Sequence, residues 1–141
     1  MRRYLIVAHR TLGGEELRHR VHELDNEAPS RFHLLVPVTH PTDHNWTEGE
    51  VIARAKERLE AGLKQFQAEG LTVTGEIGDV NPVYAVSVLL RRGETFDAML
   101  LSTLPPGLSR WLKLDVPNRL QREAAVPVEI IVSRSSGQAV A

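Results

Sequence analysis

Five short apolar runs alternate with four helical patterns along this chain, and that alternation restricts the fold more than any motif does. Tyr4-Leu5-Ile6-Val7-Ala8 lacks the polar alternation of a half-solvated strand; such runs belong to strands covered on both faces. Leu17, Val21 and Leu24 follow at helical spacing, with Glu15 and Glu16 where the positive end of a helix dipole favours acids. RFHLLVPV is a second strand, and Pro37, which has no N–H for a ladder, marks its end. Thr47-Glu48-Gly49-Glu50 has the form of a capping box, Thr47 accepting from one free amide and Glu50 reaching back to another. The helix it opens carries the stripe Val51, Ala55, Leu59, Leu63 and Phe66, with Arg54, Lys56, Glu57, Arg58 and Lys64 on other faces. Gly70 suits its end.

LTVTGEI alternates, as an edge strand does. Asn81 and Pro82 then fit the N-cap and first position of a third helix, which Gly93 ends. FDAMLLS and VPVEIIV are the fourth and fifth strands, with a short helix from Val116 to Ala124 before the last. The spacing therefore predicts one α/β domain over 1–134 and a frayed tail over 135–141. Right-handed crossovers turn this order into a five-stranded parallel sheet between two helical layers. Ligands of such sheets bind beyond the carboxyl ends of the strands. Here those ends are His9–Gly14, Thr39–Trp46, Gly78–Asn81 and Ser102–Asp115.

With 141 residues the chain buries roughly 68–70% of its unfolded surface, enough to fold without metal or disulfide. There is no cysteine, which removes thiolate zinc sites and cysteine nucleophiles together. Seventeen basic residues against eighteen acidic ones argue against a nucleic-acid or membrane-surface binder. No apolar run approaches the ~20 residues of a membrane span, and the run after Arg2-Arg3 is too short for a signal peptide. A cytoplasmic protein is expected.

The chain resembles the universal stress protein family over nearly its whole length. The likeness rests on a first strand ending near residue 9, a long second helix, and Gly78-Asp79 with Pro82, like the family's GD-P segment. FDAMLLS, an irregular loop and AVPVEIIV, like the family's last strand, complete it. The resemblance implies a flavodoxin-like (adenine nucleotide alpha-hydrolase-like) sheet of order 3-2-1-4-5 and a homodimer formed through the last strand. It also implies a role in stress response.

ATP-binding members of that family carry Gly-x2-Gly-x9-Gly-Ser/Thr after the fourth strand, where bare amides approach the phosphates. Laid on this chain, the glycines fall on Ser102, Pro105 and the Leu114-Asp115-Val116 segment, none of which is glycine. Pro105 has no N–H to donate. Asp115 at about 5 Å from a phosphate, with an effective dielectric constant of about 20, would cost about 3 kcal/mol per unit charge. The family's usual aspartate after the first strand is replaced by His9 and Arg10. The expectation is no cofactor, with ATP or another nucleotide disfavoured.

Another small anionic ligand remains open. Its candidate contacts are His9, Thr11, Gly13 and Gly14 before the first helix, Gly78, and Ser102, Thr103 and Arg110 around the fourth strand's end. Each has a plainer reading: Gly13-Gly14 as a tight turn, Arg110 as a solvated side chain, Asp115 as a helix N-cap, Trp111 as a cover over the sheet end or a dimer contact. His33 reads as a hydrogen-bonded core histidine. His40, Asp43 and His44, with His9, suggest a metal-dependent hydrolase, but Pro41 breaks the helical spacing two histidine ligands need. No nucleophile elbow, paired carboxylates or HIGH- or SGGxDS-type signature is present, so neither catalytic nor metal residues are assigned. The leading expectation is a non-enzymatic module without conventional ATP binding; a small-anion binder and a histidine-dependent hydrolase follow.

Overall fold

The computed structural model describes residues 1–40 and 45–134. The metal candidates Asp43 and His44, and the tail 135–141, lie outside the described residues. The elements run β1 (Arg2–Val7), α1 (Glu15–Glu27), β2 (Ser30–Pro37), α2 (Glu48–Ala68), β3 (Thr72–Gly78) and α3 (Pro82–Arg91). β4 (Ala98–Thr103), α4 (Arg110–Lys113), α5 (Val116–Ala124) and β5 (Val128–Val132) complete them. The strands form one sheet in the order β3-β2-β1-β4-β5, every pair parallel.

The run Tyr4–Ala8 shows why such a sheet needs helices on both faces. Tyr4, Ile6 and Ala8 enter one core with Leu17, Val21, Phe32, Leu34, Ala55 and Phe66. Leu5 and Val7 enter the other with Leu35, Ala85, Val86, Leu89, Met99, Leu101 and Leu120. Successive side chains of a strand point to opposite faces, so an uninterrupted apolar run fills two cores at once. α1 and α2 cover the first face; α3 and α5 cover the second.

The helix ends follow the local chemistry. Glu50 N–H donates to Thr47 Oγ1 at 3.1 Å and Thr47 N–H to Glu50 Oε1 at 2.8 Å, which completes the capping box. Asn81 Oδ1 accepts from the amides of Val83 and Tyr84, with Pro82 as the first helical residue. Gly70 and Gly93 take φ of 85° and 91° just past their helices, where a side chain would be strained. Pro37 ends β2 as expected.

Three expectations need correction. The segment after β4 is not irregular throughout, because Ser109 Oγ accepts from Leu112 N–H and organises the short helix α4. Asp115 stands at the N-cap position of α5 but caps no amide. Its φ of 57° and ψ of 38° are left-handed, and its carboxylate accepts from Asn118 Nδ2 at 2.9 Å instead. His33 is hydrogen-bonded as expected, to Thr74 at 2.7 Å and Glu76 at 3.0 Å, but it is half-buried beside the edge strand rather than deep in the core.

Candidate functional site

The carboxyl ends of β1 and β4 are stitched together by hydroxyl groups. After β1 the chain makes two successive turns, Leu12 N–H donating to His9 O and Gly14 N–H to Thr11 O. These carry Thr11 Oγ1 to 2.7 Å from Ser102 Oγ, both residues buried. One residue on, Thr103 Oγ1 bonds Ser109 Oγ, and Ser133 N–H donates to Thr103 O. Leu108 and Ser109 both turn their amides onto the carbonyl of Pro105. The loop after β4 is therefore closed on itself: its hydroxyls pair with one another and two of its amides face a proline carbonyl.

The remaining polar and aromatic residues of this segment face solvent or the core. Asp115 keeps the left-handed backbone that a glycine would adopt freely, but presents an exposed carboxylate at the start of α5. Arg110 is exposed and, among the described residues, its side chain forms no ion pair or hydrogen bond. Trp111 is half-buried against the core that holds Val116 and Leu120, so it covers the sheet end.

Of the candidate glycines, Gly14 and Gly78 fill steric roles. A Cβ at Gly14 would lie 2.6 Å from Ser133 Oγ and 3.0 Å from Thr11 O. One at Gly78 would lie 2.9 Å from both Ala85 Cβ and Leu35 Cδ1. Gly13 alone of these faces open space. Beside it the first turn of α1 already carries negative charge, Glu16 Oε2 accepting from Arg134 N–H at 3.0 Å.

On the other side of β1 in the sheet lies a second group of residues, from the ends of β1 and β2 and from α2. His9 is 3% exposed, and its Nδ1 is the buried side-chain polar atom left without a partner among the described residues. Its Nε2 lies 3.5 Å from Thr39 Oγ1, the long limit of a hydrogen bond. Burial, then the charges of Arg58, Arg54 and Arg10, push the imidazole down to about 4, so it is neutral at pH 7. Arg58 Nη1 donates to Arg10 O at 3.1 Å, and Arg54 lies 5.5 Å from the Trp46 ring. Burial and the same two arginines lower the Arg58 guanidinium as well.

The helical stripe placed Arg54 and Arg58 on faces other than the apolar one. Their spacing of four, in the first half of a helix that leaves the carboxyl end of β2, is the signal that places them together above His9. His40 is exposed, and among the described residues no group of three or more potential metal-binding side chains converges. No described helix is long and apolar enough to cross a membrane.

No family model matches the chain, and no curated protein matches it in sequence. Solved structures match it in fold. A universal stress protein family protein from Arabidopsis thaliana with AMP bound superposes with a TM-score of 0.65 at 11% identity, over 96% of this chain and 94% of that one. A universal stress protein in complex with cAMP gives 0.59 at 15%, over 94% and 98%. The universal stress protein from Archaeoglobus fulgidus gives 0.63 at 14%, over 93% of each. The chain has the α/β fold of these proteins, with the sheet order the resemblance implies.

Proposed function

We propose that this protein is a non-enzymatic, cytoplasmic module of the universal stress protein type that does not hold ATP on the loop after β4. The observation that carries this reading is the closed state of that loop. Leu108 and Ser109 amides turn onto Pro105 O, and the Thr103 and Ser109 hydroxyls bond each other. A polyphosphate there would have to break those bonds and approach the Asp115 carboxylate. Ser102 and Thr11 are buried and bonded to each other, and among the described residues neither hydroxyl bonds an imidazole that could activate it. β5, at the sheet edge with Ile130 44% exposed, supports a homodimer formed through that strand.

The test is thermal unfolding with and without ATP and magnesium. A ligand that binds the native state must raise apparent stability. No change in Tm at millimolar ATP is the expected result; a rise of several degrees, confirmed by calorimetric titration, would overturn the reading. A second reading, a nucleoside monophosphate or other small anion at the strand ends, draws on the AMP and cAMP bound by two proteins of this fold. The same measurement with AMP and cAMP separates it from the first.

A further inference from the structure

We propose that Arg10, Arg54 and Arg58 form a binding site for a phosphate dianion, free or as a phosphomonoester, at the carboxyl ends of β1 and β2, with His9 as its polar floor. The site lies across β1 from the loop after β4, so it goes beyond the reading above and does not need that loop.

Three elements build it. α2 is held close to the turn after β1, since a Cβ at Gly62 would lie 2.7 Å from Leu12 Cδ2. Ala55, fully buried, fixes the rotation of α2 that carries Arg54 and Arg58 on either side of it. The Arg58 hydrogen bond to Arg10 O joins α2 to the residue that follows His9. Trp46, at the end of the β2–α2 connection, lies under the Arg54 guanidinium.

Among the described residues this charge has no ion-pair partner. Arg18, Arg20 and Arg92 each close on a carboxylate, whereas no ion pair among the described residues includes Arg10, Arg54 or Arg58. Burial, then the charges of Arg54 and Arg10, lower the Arg58 guanidinium, and an anion beside it relieves that repulsion. The unpartnered Nδ1 of His9 points to the same need, because a buried polar atom without a hydrogen bond is rare in a native protein.

The chemistry selects the ligand class. Guanidinium forks pair two N–H groups with two oxygens of one anion, and three of them exceed what a monovalent carboxylate can satisfy. A phosphate monoester has two negative charges and three terminal oxygens. A neutral imidazole can donate a ring N–H to one of them.

The experiment is titration of the folded full chain with inorganic phosphate and with glycerol phosphate, at constant ionic strength, followed by amide and imidazole NMR. Saturable shifts at His9, Arg10 and the start of α2 are expected. Arg54→Gln, which leaves the Arg58–Arg10 bond in place, should weaken binding at least about tenfold, while Arg110→Gln should not change it. Inorganic phosphate binding as well as the monoester identifies the free ion as the ligand; tighter monoester binding identifies an organic phosphate. No saturable shift, or equal weakening by Arg54→Gln and Arg110→Gln, overturns the proposal. Adding ATP and magnesium to the same samples separates the two readings. Shifts confined to Ser102–Asp115 would refute the closed loop alone, and silence at His9 and Arg10 with both phosphates would refute this site alone.

Discussion

His9 is where burial and charge act most strongly on one residue. In the unfolded chain it titrates near the ordinary histidine value of about 6.5, and in the folded protein at about 4. Between those values the unfolded state binds the extra proton, so this contribution to stability is complete above pH 6.5 and is lost as pH falls toward 4. From pH 7 to pH 5 the loss is about 2 kcal/mol. Urea unfolding at the two pH values should show that difference in the parent chain. His9→Gln, which stays neutral, should flatten it; an equal slope in the variant would refute the assignment. Nothing in the segment VAHRT announces this behaviour, because a histidine at a strand end is exposed in one fold and covered in another.

At the scale of the element, α5 is unusual in that its two flanking residues, Asp115 and Ala125, both have left-handed backbones without being glycine. For Asp115 the conformation is tolerable, since aspartate enters that region more readily than most residues. Ala125, with φ of 55° after the helix, has no such compensation and only its amide bond to Gln121 O. Ala125→Gly should therefore stabilise the protein by about 1 kcal/mol, and Ala125→Val should destabilise it by at least as much. Chemical denaturation measures both; a less stable glycine variant would show that the strain is absent. A short helix from Val116 to Ala124 was expected from the sequence, but backbone handedness at its ends depends on how the chain must turn between α4 and β5.

For the whole molecule, the open edge at β5 is the feature with a consequence in solution. Ile130 faces out beside Glu129, and with Glu16 and Arg20 it borders the groove between α1 and the last strand. If two copies pair through β5, light scattering should give a dimer, and Ile130→Glu should yield a folded monomer. A monomer in the parent chain would remove the dimer from the proposal. The long helix with its capping box and the two covered faces of the sheet were readable because each rests on short-range patterns, namely apolar runs, spacing of three to four and one cap, whereas the strand order was implied by the family resemblance. The hydroxyl stitching of Thr11 to Ser102 was partly readable, since both residues were placed at strand ends, though their bond to each other was not.

The amino-acid order by itself determined which segments become strands and helices, and it placed proline and aspartate where the resembling family has glycine. Local propensity and periodicity act over a few residues, so they survive translation from sequence to element. The tertiary structure alone decided that His9 is covered, that Arg58 of α2 bonds the carbonyl of Arg10, and that Thr11 after β1 meets Ser102 of β4. Those outcomes depend on distances between residues up to 91 apart in the chain. Desolvation and Coulomb interaction act through space, and no sequence window holds both partners.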